Sequence, residues 1–446
     1  MTDAVSVKKS PKTVILNFLK NNTMLIALVL VMLLFEALII RSTGEFNIFG
    51  MSLFSPSNIT NIINQNAYVV ILAAGMLLCI LTGGNIDLSV GSIVCLVGAV
   101  AGTMIVNLKC DIYLTIVVCL FIGTLIGAWH AFFIAYLHIP PFITTLSGML
   151  LWRGVSLIIL NGLTISPFPD KYLNLFSSYI GQAEKTSDIM GTMYDIAGNP
   201  FQGVVWSYAK STLTLTIIFG AVICALMIIA QVISRLNKKS KGYSVESFVP
   251  FIVKQIFISI VIMAVSVLLG LNNGYPVILV LLAVVIACYS YYTQNTVPGR
   301  YLYAIGGNAK AAKLSGVNTD NVMFFAYTNM GFLSALAALV CVARFNSAAP
   351  TAGQNYEMDA IGSCFIGGAS AYGGTGTVGG AVIGAIFMGV LNNGMSILGV
   401  DSNWQKAVKG LVLLIAVIFD VLSKGHTKIN WKSALKVVLK VFRLAK

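Results

Sequence analysis

Charge is scarce in this sequence. Asp, Glu, Lys and Arg together make up 10% of its 446 residues, against about a quarter in an ordinary soluble domain. With 57% of positions in the hydrophobic class, the chain cannot cover itself with a water-facing surface. A soluble globular fold is excluded, and lipid is its main solvent. Histidine is scarcer still: His130, His138 and His426 are scattered, and no carboxylate pair lies within helical reach of any of them. No acid–base constellation of an enzyme emerges. The eight cysteines show no C-x-x-C spacing, which argues against a metal or redox site and for small packing residues. No G-x-x-x-x-G-K-[ST] loop occurs, so the chain does not cradle nucleotide phosphates by the usual device. Any ATP must be used by a separate subunit, and the chain itself implies no cofactor and no metal.

What is present is a series of long apolar runs. A spanning helix needs about 20 apolar residues, because every backbone polar group must be paired within the segment. That rule predicts helices near 24–40, 67–82, 88–107, 112–136, 141–160, 212–234, 248–270, 276–292, 322–343, 359–372, 380–398 and 404–422. The fold class is an all-α polytopic membrane protein with about twelve crossings; the 359–372 run is short and glycine-rich. Met24 to Ile40 lacks a small-residue cleavage site and reads as a retained anchor. Placing both termini in the cytoplasm puts eighteen of the 28 Lys and Arg residues on that side, as the insertion bias requires. The +13 net charge therefore belongs to helix flanks and anionic lipid, not to nucleic acid.

The resulting plan has a cytoplasmic tail at 1–23 and an N-terminal transmembrane half at 24–162. An extracytoplasmic insert (163–211) and an extra hairpin with a basic cytoplasmic loop (212–270) follow. A C-terminal half spans 276–423, with a cytoplasmic loop at 293–321, and a basic tail covers 424–446. The insert is too small for an independent domain. In the tail, Trp431, Leu435, Val438, Leu439 and Phe442 among lysines suit an amphipathic helix on the membrane surface.

Three glycine-rich interruptions carry the functional signal. In the first, Gly83 and Gly84 break a helix, and Asn85, Asp87 and Ser89 place polar groups at its edge. Irregular backbone at membrane depth is tolerated where it lines a cavity or is buried in protein, and broken helices build transporter sites. Asp87 also reads as a cap, accepting from the Ser89 amide. The second runs from Gly367 to Gly380. Downstream of the two breaks lie matching fragments, Gly123 to Ala128 and Gly380 to Ala385. Each is a G-x-x-x-G face for close helix contact, and together they point to pseudo-repeated halves. The third is Gly306-Gly307-Asn308 through Ala311, Ala312, Ser315 and Gly316. Asn308 caps a helix of about two turns that Gly316 ends, and so short a helix needs a packing partner. Asn66, Asn392 and Asn393 join Gly83, Gly84, Asn85, Asp87 and Ser89 as pathway candidates, with helix–helix hydrogen bonding as the alternative. Glu36 is expected to reach the interface near Arg41, and Asp420 to pair with Lys424.

These stretches resemble the permease subunits of ribose, galactose, xylose and multiple-monosaccharide ABC importers. The resemblance rests on Gly83 to Ser92, on Ile139 to Leu146, on Arg153-Gly154, on Gly306 to Val317, and on Glu357-Met358-Asp359-Ala360-Ile361. It implies a sugar pathway in a bacterial plasma membrane, formed by a homodimer. It further implies an ABC ATPase docked on 306–317 and an extracellular sugar-binding protein as donor. The family core has about ten helices, so the 212–270 hairpin points to the longer xylose or multiple-monosaccharide branch. Related permeases for nucleosides or other small polar solutes, and ion-coupled secondary transporters, stand as alternatives.

Overall fold

A computed structural model describes residues 23–44, 47–194, 200–243 and 248–423. The N-terminal lysines, Lys424 and the amphipathic tail lie outside those residues. The described helices are α1 (Thr23–Thr43), α2 (Pro56–Leu81), α3 (Val90–Gly102, continued by a π turn at Thr103–Asn107), α4 (Ile112–Ala135), α5 (Pro141–Leu160), α6 (Asp170–Ser177) and α7 (Lys210–Ser240). They continue with α8 (Phe248–Leu271), α9 (Ile278–Asn295), α10 (Val297–Leu314), α11 (Thr319–Phe345), α12 (Tyr356–Ile366), α13 (Val378–Ile397) and α14 (Ser402–Ser423). Their starts follow local capping rules. Ser55 accepts from the Asn58 amide with Pro56 behind it, Asp111 from Leu114, Asn318 from Asn321 and Thr377 from Gly380.

Among the described residues, ten helices are long and apolar enough to cross a membrane. The expected spans at 359–372 and 404–422 are not among the ten. The first falls on α12, only 11 residues long. The second falls on α14, which carries Lys406, Lys409 and Asp420. The most deeply buried spans are α2, α3 and α11, whereas α1, α7 and α8 leave most of their surface outward, as lipid-facing helices do.

Both glycine faces read from the sequence are used for close packing. A Cβ at Gly127 on α4 would run into the carbonyl oxygens of Tyr327 and Thr328 on α11. One at Gly384 on α13 would run into the Ser363 carbonyl of α12. The order of elements repeats as α2–α3–α4 and α11–α12–α13. In each, a long buried helix ends, the chain folds back, and a second helix begins part-way along the bundle. After α2, segment 82–89 returns until the Asp87 amide donates to Met76 Sδ at 3.5 Å, five residues, or about 8 Å, before the end of α2. After α11, segment 346–355 runs back along α3, from Ala348 beside Gly102 to Gly353 beside Gly91. The starts of α3 and α12 therefore meet inside the bundle.

The insert is anchored to the helices. It folds into α6 and the antiparallel pair β2 (Ser187–Tyr194) and β3 (Pro200–Tyr208). Strand β1 (Tyr179–Ile180) pairs with β4 (Tyr275–Pro276), just before α9. Tyr172 donates to the Leu339 carbonyl at 2.8 Å and Trp206 to the Leu271 carbonyl at 2.6 Å. Glu36 departs from expectation. It is buried and turns onto the following segment, accepting from Ser52 Oγ and the Leu53 amide, both at 2.8 Å. Within an apolar helix, these two donors satisfy the buried carboxylate.

Candidate functional site

The third glycine-rich segment lies at the end of the bundle opposite the insert. Helix α10 breaks at Asn308, whose φ of −162° and ψ of 99° are non-helical. The Asn308 side chain accepts from the Ala311 amide at 3.0 Å. Gly316 ends the short helix at φ +87°, where Val317 donates to Ala312 at 3.1 Å in a common C-terminal turn. Ser315 Oγ donates to the Ala311 carbonyl at 2.9 Å. Ala312 is buried and fastens the helix, while Gly307, Asn308, Ala311 and Ser315 are exposed and Leu314 is 90% exposed.

This exposed element is rooted in a knot of glycine backbone. A Cβ at Gly306 would overlap the Leu81 carbonyl and the Gly374 amide; one at Gly84 would overlap the Ala371 carbonyl, and one at Gly373 the backbone of Gly83. Gly374 donates to Leu81 at 3.0 Å, and Tyr303 Oη to the Gly376 carbonyl at 3.0 Å. The three interruptions separated in sequence thus touch at one place: the end of α2, the loop between α12 and α13, and α10. Asp420 holds the same loop from α14, accepting from the Ala371 amide at 3.0 Å.

Beyond Gly83 and Gly84, Asn85 donates to Thr82 Oγ1 at 3.2 Å and reaches Met323 Sδ of α11 at 3.9 Å. Asp87 accepts from the Ser89 amide at 2.8 Å, the contact the sequence reading has, and from its hydroxyl at 2.6 Å; the N-cap position of α3 is Ser89 and not Asp87, because the helix begins only at Val90. Opposite, Glu357 in the first turn of α12 lies against Gly91 at the start of α3, where a carboxylate suits the positive end of the helix. The remaining candidates sit elsewhere. Asn66 donates to the Ala385 carbonyl at 2.5 Å. Asn393 exchanges two amide hydrogen bonds with Asn58, at 2.8 and 2.9 Å. Both are consumed in helix contacts. Asn392 has a buried Oδ1 without a partner.

Sequence reasoning missed one cluster. Asp359 on α12 pairs with Lys409 on α14 at 3.0 Å, and Tyr68 on α2 donates to Asp359 at 3.2 Å. Tyr68 stacks on Tyr356 with ring centroids 3.9 Å apart. Arg153 on α5 donates to the carbonyls of Ala352, at 2.6 Å, and Pro350, at 3.4 Å. Lys409 inside the last apolar run was the available signal, since a cation there needs a partner.

The sequence matches the family described as branched-chain amino acid transport system / permease component, over residues 58–181 and 203–417. The chain belongs to this permease family. The unmatched 182–202 interval falls on the β2–β3 hairpin of the permease. The xylose transport system permease protein XylH of Escherichia coli K12 is 35% identical over 373 residues, 84% of this chain and 87% of that protein. The protein of that name from Haemophilus influenzae is 33% identical over 401 residues, 90% of this chain and 96% of that one. The ribose import permease protein RbsC of H. influenzae is 33% identical over 367 residues, 82% and 86% of the two chains. No solved structure matches the chain.

Proposed function

We propose that the permease is the membrane-spanning subunit of an ATP-driven importer for a monosaccharide such as xylose or ribose. The carrying observation is the short helix after Asn308, exposed on one face and rooted by Gly306 against the ends of both broken-helix units. A force applied to that helix reaches the Gly83–Gly84 break and the 367–377 loop through backbone contacts that cannot give way. The names of the relatives supply the solute class, and helices interrupted by glycine-rich breaks are a transporter architecture.

In this reading, two copies form the pathway in a bacterial inner membrane, with both termini cytoplasmic. An ABC ATPase docks on Gly306, Gly307, Asn308, Ala311, Ala312, Ser315 and Gly316, and hydrolyses the ATP. An extracellular binding protein delivers the sugar on the insert side and supplies selectivity. Gly83, Gly84, Asn85, Asp87 and Ser89 move with the coupling helix.

The test is co-purification from mild detergent of an ATPase with the native chain and with a Gly307→Arg/Ala311→Arg variant. Both positions are exposed, and an added Cβ at Gly307 meets only open space, so the variant changes a surface and leaves the packing intact. The expected result is an ATPase with the native chain alone. A well-folded native chain that repeatedly brings down none contradicts the reading.

A further inference from the structure

The Asp359–Lys409 pair is hard to explain by packing. Its carboxylate side chain is 3% exposed and the lysine 20%. Burying two charges costs desolvation that their attraction barely offsets, and an apolar pair of similar volume is often as stable or more so. Charges at membrane depth usually face the bundle interior or a wet route and mark it.

The surroundings define the chemistry. Arg153 and Lys409 bring two cations, Glu357 and Asp359 two anions, so the cluster as a whole is neutral. It therefore favours neither an anionic nor a cationic solute. Carboxylate acceptors, ammonium and guanidinium donors and the Tyr68 hydroxyl alternate around the paired starts of α3 and α12. The stacked Tyr68 and Tyr356 rings add an apolar face. A neutral polyol fits such a set, since each hydroxyl both donates and accepts and its ring carbons rest on an aromatic surface.

We propose that Asp359, Lys409 and Tyr68, flanked by Glu357 and Arg153, form a contact station for sugar hydroxyls on the translocation path. This rests on the importer reading above and adds a site to it. The station exchanges its internal hydrogen bonds for bonds to the sugar and then reforms them, so binding stays weak and release fast.

The test uses the permease reconstituted with its ATPase and binding protein in proteoliposomes, and the initial uptake of radiolabelled D-xylose and D-ribose. Tyr68→Phe removes one hydroxyl and keeps the ring. It is expected to lower uptake roughly tenfold, the worth of one hydrogen bond. Lys409→Met is expected to lower uptake further and to lower the melting temperature. In Asp359→Leu/Lys409→Met the melting temperature recovers while uptake stays at least about tenfold down. Recovery of uptake together with melting temperature, or native uptake in Tyr68→Phe, overturns the station. A native complex that moves neither sugar overturns the importer reading itself, and the station with it.

Discussion

Gly306 and Gly307 are neighbours with opposite surroundings. A methyl group at Gly306 meets three backbone atoms, while at Gly307 it meets nothing. Gly306→Ala is therefore expected to destabilise by about 2 kcal/mol, since backbone moves less readily than side chains, and to slow uptake; Gly307→Ala stays close to native in both. Thermal unfolding in detergent and vesicle uptake check the pair, and equal effects would remove the glycine knot from the account. At this scale the sequence was legible where the rule is local. The Asn308 cap and the Asp87 contact to Ser89 involve residues two or three positions apart. Asp359 and Lys409 are 50 residues apart, and no local rule joins them. For Asn66 and Asn393 the sequence left pathway contact and helix–helix bonding open, because the partners they take, Ala385 and Asn58, are fixed only by helix packing.

Elements were legible in proportion to their apolar length. Most runs near 20 residues appear as helices close to the expected bounds, because lipid forces the backbone to pair within itself; α2 is the exception, starting at Pro56 and not near 67, because the Ser55 cap and Pro56 open a helix through the polar stretch ahead of the apolar run. The fold-back at 346–355 was not legible, since Pro350, Gly353 and Asn355 read simply as a loop between helices. Only the packing of Gly353 on Gly91 reveals it as the counterpart of segment 82–89. The α7–α8 hairpin carries its own polar tie, Gln255 donating to Gln231 at 2.5 Å. Gln255→Leu alone leaves Gln231 without that donor and is expected to cost about 1 kcal/mol. Adding Gln231→Leu should restore most of it, with thermal unfolding of the three variants as the check. A double variant less stable than the single would mean that the glutamines serve packing and not pairing. Replacing Glu36 by Ala should cost about 2–3 kcal/mol by stranding the Ser52 hydroxyl and Leu53 amide, against no change if the carboxylate were at the interface.

For the whole molecule, composition alone led to a polytopic helical protein, and the glycine breaks led to two related halves. What composition could not supply was the way the breaks interlock, because that depends on three segments 50 or more residues apart in the chain. The insert was opaque for a different reason: β2 and β3 order by pairing with one another, and Trp206 ties the pair to the end of α8. The proposed orientation, with both termini cytoplasmic, rests on the placement of lysines and arginines. A cysteine replacing Lys239 should react with an impermeant maleimide only after the cells are opened, and one replacing Asp188 in intact cells. The reverse pattern would invert the account.

The most direct measurement is sugar uptake into proteoliposomes holding the permease, its ATPase and its binding protein, with ATP or ADP inside. The account predicts accumulation of labelled xylose or ribose that requires both ATP and the binding protein. Accumulation driven equally well by a proton or sodium gradient with ADP inside would contradict it.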